Sequence, residues 1–80
     1  MKKIILYSTP TCVWCKMAKE FFKNRGIAYE ERDVLHDLKM REEMYKKSHQ
    51  YGVPVFDIDG EIHVGFNRPE IEKALGLVSH

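Results

Sequence analysis

Ile4-Ile5-Leu6-Tyr7 is an unbroken apolar run, the pattern of a strand buried on both faces of a sheet. Pro10 and Thr11 interrupt it, and from about Val13 to Arg25 the period becomes that of a helix. Met17, Phe21 and Arg25 fall on one line at i+4 spacing, with Ala18 and Phe22 beside them, so one face is apolar. Gly26 then supplies a left-handed stop. A second strand with weak alternation is predicted over roughly Ala28 to Asp33. A heavily charged second helix follows between about His36 and Gln50, with Leu35, Leu38, Met44 and Tyr45 as its modest apolar contribution. Val53 to Ile58 and Glu61 to Val64 read as strands around Asp59-Gly60, a strong short hairpin signal. Pro69 marks a last helix start, behind which Ile71, Ala74, Leu75 and Val78 step at helical spacing.

The predicted order is β-α-β-α-β-β-α in a single domain, residues 1–80, without linker, repeat or low-complexity segment. A helix in each of the first two β-to-β connections predicts parallel strands joined by right-handed crossovers. The hairpin makes the last strand antiparallel. Because the first strand has no polar face to show water, helices are expected on both sides of the sheet, which makes the class α/β.

Composition narrows the function more than the fold. With 44% hydrophobic and 31% charged residues, the chain reads as ordinary globular material. A domain of this length buries about 60–65% of the surface its unfolded chain exposes. Thirteen basic and twelve acidic residues leave a net charge of +1, so no bulk field argues for nucleic acid. The apolar run behind Lys2 and Lys3 is shorter than the ~7–15 residues of a signal-peptide core. No stretch approaches the ~18–20 apolar residues of a membrane span, so the expected address is cytoplasmic.

Chemistry concentrates in Thr11-Cys12-Val13-Trp14-Cys15, which holds both cysteines of the chain. Two thiols at one spacing do not build the disulfide framework of a secreted miniprotein, and a structural disulfide is not expected to persist in the cytoplasm. In a helix, residues i and i+3 have Cβ atoms ~5–6 Å apart, so a small rotamer change brings two sulfurs within bonding distance. Cys12 falls at the N-cap or first helical position, where orphan amides and the helix dipole stabilise a thiolate. Cys15 lies one turn in and is shielded. That arrangement suits exchange through a mixed disulfide, with Cys12 as the attacking and Cys15 as the resolving thiol. Three alternatives use the same residues. A metal site needs about four ligands, of which the two cysteines are half, and His36, His49, His63 and His80 show no ligand-pair spacing. A zinc site within one chain and a metal or iron–sulfur centre shared between two chains stand as equal minor alternatives. An inert buried pair is the other alternative, although it does not explain the strand–Pro–Thr–Cys placement.

Ser8-Thr9-Pro10-Thr11-Cys12-Val13-Trp14-Cys15, Gly52-Val53-Pro54-Val55 and Val64-Gly65-Phe66 together resemble the glutaredoxin-like redoxins of the thioredoxin superfamily, over nearly the whole chain. The resemblance implies a thioredoxin-like fold, a four-stranded mixed sheet flanked by three helices. It also implies a cis Pro54 facing the cysteines and a Val53 backbone that pairs with the partner's extended chain. From the residues alone, Pro54 can only open its strand.

The departures from the glutaredoxin pattern concern glutathione. Thr9 stands where glutaredoxins usually carry lysine, and Tyr51 replaces a basic residue, although Gln50 matches. Gly65-Phe66-Asn67-Arg68-Pro69 replaces a Gly-Gly followed by an acidic pair, and Val13-Trp14 replaces Pro-Tyr. Gly65-Phe66 in that loop, with Val13 after the first cysteine, looks more like the small redoxins that serve ribonucleotide reductase and are recharged by thioredoxin reductase. The expectation is a monomer that reduces protein disulfides without a bound cofactor. Its electrons would come from NADPH through thioredoxin reductase, with glutathione as the alternative donor. Trp14 and Phe66 are expected to touch the partner, and Arg68 to line the same groove or simply face solvent. Lys16, Lys19 and Lys23 read as a solvated stripe that less often helps a thiolate or steers a partner. Tyr7 reads as a packing residue near the site, and the histidines as surface residues.

Overall fold

The computed structural model describes residues 2–77. β1 (Ile4–Ser8) is buried along its whole length. It is followed by α1 (Val13–Asn24), β2 (Glu30–Asp33), α2 (Leu38–Ser48), β3 (Val55–Ile58), β4 (Glu61–Val64) and α3 (Arg68–Ala74), the element order expected from the sequence. The sheet runs β2-β1-β3-β4. Its apolar strands β1 and β3 sit in the middle, and the charged β2, Glu30-Glu31-Arg32-Asp33, forms an edge where side chains meet water.

Successive β1 residues feed two different cores because strand side chains alternate between faces. Ile4 and Leu6 pack with Ala18, Phe21 and Phe22 of α1, Phe56 and Ile58 of β3, and Ile71 and Ala74 of α3. Ile5 and Tyr7 pack on the other face with Val34, Met44 and Val55. Helices therefore cover both faces, as the lack of a polar face on β1 requires. α2 contributes less than its sequence suggests. Leu35, Leu38 and Tyr45 are exposed, and Met44 is its one fully buried anchor, joined by Val34 ahead of the helix. Val78, expected to continue the apolar stripe of α3, lies outside the described residues, as does His80.

The second crossover corrects a sequence expectation. β1 and β2 are parallel, but β3 runs antiparallel to β1. The reason lies in the register. Asp33, ending β2, stands opposite Ser8, and Val55, beginning β3, stands opposite Tyr7. The connection thus leaves and re-enters at the same end of the sheet. An 11-residue helix, about 16 Å long, can lie over the face without carrying the chain back to the other end. The helical-crossover rule governs strands whose connection returns along the sheet, and this one does not.

Local signals hold at the turns. Gly26 has φ +65, a left-handed conformation that ends α1 cheaply only for a residue without Cβ. Asp59 and Gly60 both have positive φ, as a tight hairpin matched to the sheet twist needs. Asp37 caps α2 by accepting the Lys39 and Met40 N–H groups, and Asn67 caps α3. No helix among the described residues is long and apolar enough to cross a membrane.

Candidate active site

β1, a central strand, delivers the chain at its C-terminal end to the start of α1. Cys12 is the N-cap, with extended backbone, and its Sγ accepts the Cys15 N–H at 3.1 Å. Its own N–H donates to the Thr9 carbonyl at 3.3 Å, and its carbonyl accepts the Lys16 N–H at 3.1 Å. One of the orphan amides of the helix start is thereby satisfied by the Cys12 sulfur, and no carboxylate stands in the first turn. Cys12 is partly exposed, while Cys15, one turn further in, has no exposed surface. Burial pushes the Cys15 thiol up to about 12, with the hydrogen bond to Cys12 adding to the shift, while the Thr9 backbone and the Lys19 charge oppose it.

The two thiols are therefore unequal, and alkylation measures the difference. With Cys15→Ser, iodoacetamide is expected to modify Cys12 at neutral pH. With Cys12→Ser, Cys15 should stay largely unmodified until about pH 10 or above, because the thiolate is the reacting form. Equal rates across neutral pH would contradict this asymmetry.

The loop before β3 completes the local geometry. The Val53–Pro54 peptide is cis, and Pro54 is fully buried. Pro54 stands just ahead of β3, which starts at Val55 rather than Val53, consistent with a residue that has no N–H for the ladder. The Pro54 carbonyl accepts the Gly65 N–H at 2.8 Å, tying this loop to the one that enters α3. The Val53 N–H and C=O take part in no backbone hydrogen bond among the described residues, which leaves them open to an added strand. Gln50 braces the approach, since its Oε1 accepts the Gly52 N–H at 2.7 Å and its Nε2 donates to the Gly52 carbonyl at 3.1 Å.

Trp14 is 58% exposed and lies at one end of a groove of about 390 Å³ between α1 and α3, which also takes in Met17, Phe21, Arg25, Phe66 and Arg68. The structure thus brings together Trp14, Phe66 and Arg68, though neither cysteine lines that groove. Phe66 also belongs to the core, edge-on to Phe21 at 5.8 Å and tilted against Phe56 at 6.1 Å. Both arginines stack on Phe21 and reach toward Glu72.

The profile of the glutaredoxin family matches residues 4–64, more than half of the chain. The chain belongs to the glutaredoxin family. It is 53% identical over 72 residues to an uncharacterized glutaredoxin-like protein of 8.6 kDa in the rubredoxin operon of Clostridium pasteurianum, covering 90% of this chain and 96% of that one. It is 32% identical over 65 residues to glutaredoxin 3 of Escherichia coli, covering 81% and 77% respectively. Among solved structures, a mutant of the thioredoxin-like protein BC3987 is similar at a TM-score of 0.89 and 37% identity, over 98% of this chain and 100% of that one. As a glutaredoxin-family member, the protein is a thiol–disulfide oxidoreductase. Its fold is the thioredoxin-like fold that the sequence resemblance implies, including the cis Pro54.

Against the family pattern, Tyr51 is stacked on Tyr45 at 4.6 Å, with the Arg41 guanidinium 4.7 Å from the Tyr51 ring centre. Asn67 spends its side-chain oxygen on the α3 cap, accepting the Glu70 N–H at 3.4 Å. Tyr7 is completely buried, and it does more than pack. Its hydroxyl donates to Glu43 and accepts from Lys47, which also reaches Asp57 of β3 at 2.6 Å, so α2 is tied to β1 by hydrogen bonds and to β3 by an ion pair. His63 is not a surface residue. Its side chain is mostly buried, with Nε2 2.7 Å from Glu61 Oε2 but off the hydrogen-bond direction. It stands opposite Phe56 on the face that α3 covers, in a cleft shared with Glu70, Lys73 and Ala74, which accounts for this. Sequence reading missed the bracing role of Gln50 and the ionic partners of Tyr7, because both depend on contacts made only after the chain folds.

Proposed function

We propose that this glutaredoxin-family protein reduces protein disulfides through Cys12 and Cys15 and is itself recharged by NADPH through thioredoxin reductase. The observation that carries the reading is the inequality of the two thiols, one partly exposed at a helix N-cap with an amide on its sulfur, the other buried and held protonated. Cys12 attacks the partner's disulfide, and the first partner sulfur leaves. Cys15 then attacks Cys12 Sγ, which releases the second partner thiol and leaves the Cys12–Cys15 disulfide. Val53 offers its free backbone to the partner's extended chain next to Pro54, and Trp14 and Phe66 offer apolar contact. No bound cofactor takes part. Ribonucleotide reductase is a partner of the required kind, a protein reduced through its own disulfide.

The electron donor follows from the charges that are missing. Thr9, the aromatic stack at Tyr51 and the helix-capping Asn67 lack the charged grips expected for glutathione. Each lost charge-assisted hydrogen bond is worth about 1.5–3 kcal/mol, so two of them weaken recognition by about a hundredfold or more. Docking through Val53, Trp14 and Phe66 needs none of these charges. Two coupled assays on one preparation test it, NADPH with thioredoxin reductase and glutathione with glutathione reductase. The first should turn over at least about tenfold faster at equal protein. Faster turnover with glutathione, or a tight glutathione adduct on Cys12 in Cys15→Ser, would assign the recharging step to glutathione.

A further inference from the structure

Resolution requires a thiolate on Cys15, yet its surroundings hold that sulfur protonated. One ammonium stands one helical turn further along α1, and its charge favours the thiolate. Lys19 Nζ donates to Glu31 Oε2 at 2.7 Å, and the same oxygen accepts the Ser8 hydroxyl at 2.7 Å. Ser8 is the last residue of β1 and is 1% exposed, so this anchor is part of the packed structure. Glu31 stands opposite Leu6 in the β1–β2 register and sits in the edge strand, where it can reach both. Lys19 follows Cys15 by four residues on α1, and helical side chains lean toward the helix N-terminus. Its stem therefore runs back over the turn that holds Cys15, and Glu31 keeps it there.

We infer that Lys19, clamped by Glu31 and Ser8, is a positioning residue for the resolving step, placing a positive charge where the Cys15 thiolate forms. The inference rests on the division of labour between Cys12 and Cys15 proposed above. In that step the Cys15–Cys12 sulfur bond forms and the bond from Cys12 to the partner sulfur breaks. Cys15 is oxidised, the partner cysteine is reduced, Cys12 passes from one disulfide to the other, and the Cys15 proton ends on the released partner sulfur. The titratable and charged groups around the pair are few. Cys12 and Lys19 act on Cys15, while Glu31, Tyr29 and Cys15 act on Lys19. The coupling is mutual, since Lys19 favours the Cys15 thiolate and the thiolate favours charged Lys19. The sequence showed only a lysine stripe, and Lys16 and Lys23 are indeed exposed on it.

Stopped-flow reaction of the reduced protein with an aromatic disulfide that releases a coloured thiolate separates the two steps. The first release reports attack by Cys12, the second reports resolution by Cys15. Lys19→Gln should leave the first release unchanged and slow the second about three- to tenfold, the effect of up to one pKa unit on the thiolate fraction. Its pH profile for the second release should move to higher pH. Lys19→Arg should restore most of the rate, because the charge and not the stem is at issue. Glu31→Gln, which unclamps the ammonium, should slow the second release by less than Lys19→Gln does. An unchanged second release in Lys19→Gln, an equal slowing of both releases, or an Arg variant as slow as the Gln variant would overturn the inference while leaving the roles of the cysteines intact. A wild-type protein that gives only one release would instead overturn those roles, and this inference with them.

Discussion

Cys15→Ser captures partner proteins as stable mixed disulfides, whereas Cys12→Ser captures almost none. This expected result follows from what each sulfur can reach. Cys12 is partly exposed and its Sγ already accepts an amide proton, so it can attack without rearrangement of α1. Cys15 has no exposed surface and its thiol is pushed up to about 12, first by burial, so an incoming disulfide cannot reach it. Removing Cys15 leaves the attack intact and blocks release. Removing Cys12 takes away the nucleophile, and disulfide reduction should fall by about a thousandfold or more. Non-reducing gels of lysate passed over each immobilised variant, with mass spectrometry of the bands, make the comparison. Equal capture by both variants, or capture only by Cys12→Ser, would reverse the assigned roles. The captured proteins would also identify the physiological acceptors.

The largest effect on stability is expected at Phe22. It is fully buried on the inner face of α1, with ring centres 5.6 Å from Phe21, 5.2 Å from Tyr29 and 6.0 Å from Phe56. Phe22→Ala removes the whole ring and leaves a cavity that this small core cannot close, at a cost of about 3–5 kcal/mol. A domain of this length has about 4–12 kcal/mol in total, so the variant should lie close to unfolding. Met17→Ala on the same helix should change stability by about 0.5 kcal/mol or less, since Met17 is 43% exposed. Urea midpoints of the three proteins test this. A loss at Phe22 no larger than that at Met17 would mean that α1 is not held by this cluster. The consequence reaches the site, because the same face of α1 that buries Phe22 also buries Cys15 and so sets which thiol is accessible.

How much of this was readable in the chain depends on how local each cause is. The strand at Ile4 to Tyr7, the helix behind Cys12, the Asp59-Gly60 hairpin and the stop at Gly26 come from side chains and dihedral preferences within a few residues, and they stand as read. The placement of Cys12 and Cys15 one helical turn apart was legible for the same reason, since the helix sets their spacing. Edge positions were less so. Leu38 and Tyr45 carry apolar side chains on a helix whose one fully buried residue is Met44, Leu35 lies ahead of it, and a helical pattern alone does not say how closely its face is covered. The direction of β3 escaped the sequence because it depends on the end of the sheet at which the connection from β2 re-enters, which no local pattern states. His63 was misread because exposure depends on what lies above a strand.

By itself the sequence determined the order of elements, the apolar centre of the sheet and the position of two thiols at a helix start, because each rests on local periodicity, turn chemistry or spacing. Only the tertiary structure decided that β3 runs antiparallel to β1, that Cys15 is wholly buried while Cys12 is not, and that Glu31 and Ser8 hold the Lys19 ammonium near the turn of Cys15. Those facts depend on residues far apart in the chain, which meet only when burial of the two cores brings β1, β2 and α1 together.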